Sequence, residues 1–453
     1  MTDKDEFSAE NLTRDALRLL GARICMRRTI LGLHQRDLVN ELYYERLIND
    51  VENGLVAPTN EFLAYLAAAL DTTPQSFLED NPAEPISSGS LVDLKVAEQE
   101  LALMNAHTKV EVEMPEVALS FLEPFNAKPE ELASELKPVF FRLRGNAHLQ
   151  MKNYHLAEEA LAEALQLLES QPAVNPLQVE VVRNLIGLSL YREGRTKEAL
   201  KVHQKSLEAV LKNNITNRRF RLILYTNIAN EHYMLGRSDL AIKIYRNDAL
   251  PLAEQGEDDK QVGLIFWGLG ITYKGMGDYA RAALSFDRSV KLFEKCNEPK
   301  MAVQMLDQLG LTFIERSDFK LAEETLLKAL SKVDKLVDPR TQALINNNLA
   351  YLYKQKGEPE RALGHIEASV EINREIGDTL QLGQSLSTLA DVKLALGNLD
   401  GAFKDYEEAI RWLDPQNQSY LYDKVMENYA DALKKHGFLE KALEVRFSMS
   451  RSA

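Results

Sequence analysis

The chain is poor in the residues that would make it small, secreted or membrane-bound. Two cysteines, Cys25 and Cys296, stand far apart in 453 residues. They build neither a disulfide framework nor a CxxC pair, so a reducing cytoplasm is the expected compartment. Glycine (22) and proline (15) are sparse, which favours helices over turn-rich β folds. No apolar run reaches membrane-spanning length, and the acidic opening "MTDKDEFSAE" lacks the apolar core of a signal peptide. Positive charge is also short: 54 lysines and arginines face 68 acids, a net charge of −14. That balance argues against non-specific nucleic-acid binding by the whole molecule, while leaving room for a small local DNA-facing surface. Catalytic signatures are missing too: no HExxH, P-loop, nucleophile elbow or GxGxxG is present. No enzyme activity, metal or cofactor is expected. His365 and Glu367 read as a solvated helix face, and Cys296, in "EKCNEPK", as a link between repeats.

What is abundant is self-similarity. The stretches "EGRTKEAL", "LGRSDLAI", "MGDYARAA", "RSDFKLAE", "KGEPERAL", "LGNLDGAF" and "HGFLEKAL", with a weaker "MKNYHLAE", mark eight turns. Five residues after each turn position stands an alanine: Ala157, Ala199, Ala241, Ala282, Ala322, Ala362, Ala402 and Ala442. Seven residues before it stands a small residue: Gly145, Gly187, Ala229, Gly270, Gly310, Ala350, Ala390 and Ala430. Two antiparallel helices joined by a tight turn approach closely only if each carries a small residue at the crossing. Glycine at the turn, as at Gly194 and Gly277, supplies the left-handed conformation that ends the first helix. Bulky residues such as Tyr245, Phe286 and Tyr406 follow each alanine by four and fill the gaps.

This register resembles the tetratricopeptide repeat over roughly residues 138 to 450, with a step of 40 to 42 residues in place of the usual ~34. The resemblance implies an all-α, right-handed superhelix of about eight repeats (138–453) whose first helices line a peptide groove. Groove positions fall ten, nine and six residues before each turn. The first set is Arg142, Asn184, Thr226, Trp267, Asp307, Asn347, Ser387 and Glu427. The second includes Asn227, Gln308, Asn348 and Asn428, and the third Asn146, Asn230, Tyr351, Asp391 and Asp431. An amide both donates and accepts, so it suits the backbone of an extended peptide, and Trp267 offers an apolar anchor. Arg142 is suited to a peptide carboxylate. The competing reading is structural: asparagines bonded to neighbouring helices, and Arg142 in a salt bridge. Residues 96–137 are expected to form a degenerate helical pair that caps the array.

A separate unit spans residues 15–80, followed by a linker over 81–95 that opens with the Pro/Ser-rich "DNPAEPISSGS". Short apolar segments at helical spacing fit five helices. "LGARICMRRTILGLHQRDLVNEL", "LINDVENG" and "FLAYLAAALDTTPQSFL" resemble the phage-repressor (Cro/C1, or XRE) helix-turn-helix. The resemblance implies that Gln35 opens the second helix at a phosphate and that Asn53 meets the DNA backbone. It pairs Arg28 with Glu52 inside the fold. It gives a recognition helix over about Glu45 to Val51 that presents Tyr44, Glu45, Arg46, Asn49 and Asp50 to the major groove. Arg46 would read guanine, and Glu45 or Asp50 would accept from cytosine N4. Two features depart from the pattern. The turn holds Tyr43 and Tyr44 in place of glycine, and the unit carries six arginines against ten acids. Arg23, Arg27, Arg36 and Arg46 must then supply most of the phosphate neutralisation. Surface charges or helix caps are the bland alternative for these residues.

A repressor-type head joined to a long tetratricopeptide array resembles the peptide-pheromone-responsive RRNPP regulators of Gram-positive bacteria. That resemblance implies a cytoplasmic transcription regulator, a homodimer on a palindromic operator, switched by a short signalling peptide in the groove. A second reading stays open. The array binds a protein partner, such as a sporulation phosphorelay component, and the acidic head is vestigial.

Overall fold

The computed structural model describes residues 13–39, 42–78, 91–172, 174–256, 258–336, 338–413 and 419–452. The described residues form helices and connecting turns, and the packing divides them into two compact units, 1–257 and 258–453.

The first unit opens with α1 (Arg14–Leu31), which Thr13 caps and Gly32 ends in the left-handed conformation. Only glycine fits at residue 32 on two counts. Its φ is +71°, and a Cβ there would lie 2.8 Å from Val181 Cγ1 and 2.9 Å from Arg142 Nη1. The expected second helix of the head is a four-residue 3₁₀ turn, Gln35–Leu38, ending before residues 40 and 41, which lie outside the described residues. Then come α2 (Glu45–Glu52), α3 (Asn60–Ala69) and α4 (Pro74–Leu78). The head thus has four α-helices and one short turn where five helices were expected. Residues 81–90 of the expected linker lie outside the described residues, and 91–95 already belong to α5 (Leu91–Glu111). α5 and α6 (Pro115–Asn126) are the helical pair expected before the array.

Repeats one to three follow: α7 (Lys137–Gln150) with α8 (Tyr154–Glu169), α9 (Pro176–Arg192) with α10 (Thr196–Lys212), and α11 (Arg218–Met234) with a broken partner. That partner runs as α12 (Ser238–Ile244), a π-helical turn Tyr245–Ala249, and α13 (Leu250–Glu254). Pro251 has no N–H to return, so the ladder loses a bond there and the preceding turn widens.

The second unit holds repeats four to eight: α14 (Asp259–Gly275) with α15 (Tyr279–Lys295), α16 (Pro299–Glu315) with α17 (Phe319–Leu336), α18 (Pro339–Gln355) with α19 (Pro359–Ile376), α20 (Thr379–Ala395) with α21 (Leu399–Trp412), and α22 (Ser419–Lys435) with α23 (Leu439–Ser452). Proline at the first helical position begins α9, α16, α18 and α19, where a missing N–H costs nothing.

The register is realised at every repeat. All eight turn positions take positive φ, including the non-glycines Lys152 (62°) and Ser317 (64°). The eight alanines are buried. A Cβ on Gly145, Gly270 or Gly310 would come within 2.6 Å of Leu161, Phe286 or Leu326 respectively, each the bulky residue four after the alanine. At Gly187 the same place is filled by the ring of His203.

Candidate functional site

The head shares one apolar core with the second and third repeats. Leu20, Ile24, Leu31, Leu33, Leu38, Ile48 and Phe62 belong to the same buried cluster as Leu177, Val181, Phe220 and Leu224. Polar contacts reinforce this seam. Arg219 of α11 pairs with Asp37 at 2.8 Å and donates to the Arg36 carbonyl at 3.0 Å. Gln178 donates to the Ile30 carbonyl and Asn175 to the Asp71 carboxylate. Arg142 donates to the Thr29 carbonyl.

Arg28 is the hub of the head. It is buried and makes a two-pronged contact with Glu52, at 2.7 and 3.0 Å. This is the pair that the repressor resemblance implies. A second carboxylate, Glu111 at the end of α5, lies 2.8 Å from Arg28 Nη1, 3.2 Å from His34 Nδ1 and 3.3 Å from the Gln35 N–H. Burial alone would raise the Glu111 pKa. The hydrogen bond from His34 and the positive field around Arg28 outweigh it and hold the carboxyl at about 2. His107, buried beside them, is driven well below the usual imidazole value by burial and by the Arg28 charge. Sequence alone did not flag Glu111, His107 or Arg219, because their partners lie far along the chain.

The expected DNA-facing residues are placed as follows. Tyr44, Glu45, Arg46, Asn49 and Asn53 are exposed, and Asp50 is half-buried. Arg46 approaches Asp50 at 3.8 Å. Arg23 donates to the Phe77 carbonyl, and Arg27 to the carbonyls of Leu70 and Asp71, so these two arginines tie α1 to the far end of the head. The Gln35 amide donates to Glu52 at 2.7 Å and to Asn49 at 3.3 Å. Arg36 stays exposed. Around the recognition helix the large apolar residues Leu42, Leu55 and Val56 are exposed.

Several groove positions are engaged in bonds between repeats. Asn227 donates to Asn184 at 2.9 Å, and Asn184 is buried. Asn348 donates to Asp307 at 2.6 Å, and both are buried, as is Asn347. Asn230 accepts from the Tyr245 hydroxyl. Burial raises the Asp307 carboxyl to about 6 in spite of the bonds from Asn348 and Gln308, and burial lowers Lys274 nearby. Trp267, in contrast, is 39% exposed, and Asn146, Thr226, Gln308, Tyr351 and Asp391 are half-buried. Asp391 binds Lys354 and the Tyr406 hydroxyl. Ser387 is buried, whereas Glu427 and Asp431 are exposed and Asn428 is half-buried. Arg142 is buried at 4% exposure.

One missed cluster left a trace in the sequence. His203 occupies the bulky position that Tyr245 and Phe286 hold in the next repeats, and a histidine there needs a partner. It finds Glu231 at 2.6 Å, and both side chains are fully buried. Burial pushes the Glu231 carboxyl up despite the histidine. His365 is also less exposed than its pattern suggested: it bonds Asn346 at 2.9 Å and stacks on Tyr353. Neither cysteine is primed for reaction. Burial drives Cys25 to about 12, and burial with the neighbouring Asp259 raises Cys296. Among the described residues, no three His, Cys, Asp or Glu side chains gather as a metal site. No helix there is long and apolar enough to cross a membrane.

Comparison with known proteins follows these lines. The tetratricopeptide-repeat family profile matches residues 178–255 and 341–413. Among solved structures, the apo form of the quorum sensor NprR from B. thuringiensis superposes with a TM-score of 0.60 at 14% identity, covering 78% of this chain and 96% of that one. Apo RapI gives 0.58 at 15%, covering 78% and 97%. A Rap protein complexed with competence and sporulation factor gives 0.52 at 18%, covering 81% and 94%. No curated protein matches in sequence. The chain carries tetratricopeptide repeats and shares the fold of these solved structures. At these identities the likeness to the solved structures concerns the fold, and the family profile matches two segments of the array directly.

Proposed function

We propose that the chain is a peptide-responsive regulator of the RRNPP type, without catalytic activity of its own, acting in the cytoplasm. Its parts are a head (15–80), a linker (81–95), a capping pair (96–137) and an array (138–453) whose first helices receive an extended signalling peptide. The observation that carries this reading is the eightfold register. It leaves Trp267, Gln308 and Tyr351 part-open on first helices while the alanine faces are buried. Trp267 is the apolar anchor, and Gln308 and Tyr351 are the polar contacts. Asn347 and Asn348 are buried, and Asn348 ties its repeat to Asp307 of the preceding one. Arg142, Asn146, Asn184, Asn227 and Asn230 make up the rest of the peptide set. Arg142 and Asn184 reach a ligand only after the head leaves its seat. The test is titration of the short tail encoded by a small secreted reading frame beside the gene, followed by tryptophan fluorescence. Binding at micromolar or tighter concentration that Trp267→Ala weakens supports the groove. No change in signal and no heat of binding removes it.

The output is more readily a protein contact than a DNA contact, and one observation favours that order. Of the arginines that would neutralise phosphate, Arg23 and Arg27 hold backbone carbonyls, and the Gln35 side chain is engaged by Glu52. The exposed face carries the large apolar Leu42, Tyr44, Leu55 and Val56 and the acidic Glu45, with Asp50 half-buried beside the exposed Arg46. Such a face suits a protein partner with a basic rim better than a phosphate backbone. DNA binding, as a homodimer on a palindromic operator through Arg36, Tyr44, Arg46, Asn49 and Asn53, is the other reading. A gel shift on the gene's own upstream DNA, at low and moderate salt and with and without peptide, separates them. A specific shift reinstates DNA, and its absence under all four conditions leaves the protein partner.

A further inference from the structure

The seam between head and array encloses a cavity of about 70 Å³, lined by His34, His107, Arg142, Asn146 and Asn184 together with apolar side chains including Leu33 and Phe220. That is room for about two waters, given a share of ~30 Å³ each. The Arg142 guanidinium on its wall is buried and carries five N–H donors. Among the described residues its hydrogen bond goes to the neutral Thr29 carbonyl, and no carboxylate there lies within ion-pair distance of it. A buried charge without a counter-charge is among the costliest arrangements in a folded protein.

The rest of the wall adds donors more than acceptors. Asn184 has its carbonyl oxygen taken by Asn227, which leaves its NH₂ as the group without a bond. His107 is neutral, and its Nδ1 is buried without a partner. Its Nε2 lies 3.0 Å from Arg28 Nη1 and 3.1 Å from the Leu33 carbonyl. The carboxylate on the wall, Asp37, is already neutralised by Arg219 at 2.8 Å. Glu111 acts on Arg142 from a distance but is held by Arg28 and His34.

We propose that this cavity binds one small monovalent anion, of chloride or formate size, seated on Arg142 between α1, α7 and α9. The ion supplies the missing counter-charge and accepts from the Arg142 guanidinium and the Asn184 and Asn146 amides. Because the wall is made by the head on one side and by the first repeats on the other, the bound anion fastens the head to its seat. The anion holds Arg142, Asn146 and Asn184 while the head is seated, and the peptide assigned to them above would meet them only after it leaves, so the chloride measurements are made without peptide.

The experiment uses the full chain and chloride as the probe. Chloride-35 line width is measured as protein is added, and melting is compared in sodium chloride and sodium gluconate at matched ionic strength. The expected result is excess broadening that saturates with chloride and is displaced by formate, with a melting temperature several degrees higher in chloride than in gluconate. Arg142→Gln, which retains a donor for the Thr29 carbonyl, should abolish both effects. Asn146→Leu fills the space while leaving the charge in place and should do the same. If Arg142→Gln fails to fold, Asn146→Leu decides. Broadening that formate does not displace, or that persists in the folded variants, belongs to surface lysines and overturns the proposal. Equal melting in the two salts overturns it as well.

Discussion

The head and the repeats solve the problem of burying polar groups in opposite ways. In the repeats of the second unit, buried polar residues find partners within their own repeat or the adjoining one. Asn348 reaches Asp307 in the preceding repeat, and the Ser369 hydroxyl donates to the Ala343 carbonyl of its own repeat. In the head, partners come from across the chain: Arg28 with Glu111 on α5, and Asp37 with Arg219 on α11. A solenoid is a near-neighbour structure, so its polar bonds are local and its stability accumulates by repeat. A head with one edge of its core completed by repeat residues depends on distant elements being in place. The second repeat also bonds to the adjoining one, His203 to Glu231, at the position where repeats three and four use an aromatic ring.

That contrast can be broken at several points. The largest effect is expected at Glu231. Glu231→Ala leaves His203 buried without its partner and should cost about 3–5 kcal/mol in urea unfolding. The double change His203→Phe with Glu231→Leu imitates the aromatic repeats and should recover most of that loss. If the single variant is as stable as the parent, the pair does not hold the second repeat together.

A pH effect comes next. Asp307 has a folded-state value of about 6 against 3.8 for the free carboxyl. The folded protein therefore binds this proton more tightly than the unfolded chain. The stabilisation is fully present below about pH 4 and is lost as pH rises through about 6, on the order of 3 kcal/mol from a shift of about two units. Asp307→Asn should flatten that part of the stability–pH curve, read by denaturant midpoints between pH 4 and 7. An unchanged curve would show that Asp307 titrates normally.

Arg219→Ala tests the head's dependence on distant partners. It leaves Asp37 nearly buried and unpaired, at a cost of about 2 kcal/mol. Amide exchange over residues 33–39 should accelerate tenfold or more while α18 and α19 stay protected. Uniform acceleration along the chain would contradict a separable head.

The smallest effect belongs to the turns. Ser317 holds φ +64° where six other repeats use glycine. Ser317→Gly should stabilise by about 0.5–1 kcal/mol, because the left-handed conformation costs a non-glycine residue more than the added chain entropy costs glycine. A loss of stability would mean that the Ser317 side chain contributes something the geometry does not reveal.

Much of the array was legible from spacing. The alanine, small-residue and turn positions are all within a dozen residues of one another, and helix geometry converts that spacing directly into a crossing. The groove residues were legible only as positions. Asn184, Asn347 and Asn348 stand where the register puts them, yet whether an amide faces a ligand or the next repeat depends on side chains some forty residues away. The head was read correctly at Arg28 and Glu52, a short-range pair within one small fold. It was read differently at the second helix, where the chain makes a 3₁₀ turn, and at Arg23 and Arg27, which cap helix ends instead of facing outward.

The sequence by itself determined the helix pairs of the array and the place of its eight turns, because these follow from residue size and backbone freedom within one hairpin. Only the tertiary structure decided which polar groups are partnered. Glu111, Arg219 and the lone charge of Arg142 acquire meaning once elements up to 183 residues apart meet, and electrostatic energy depends on distance in space and on exclusion of water.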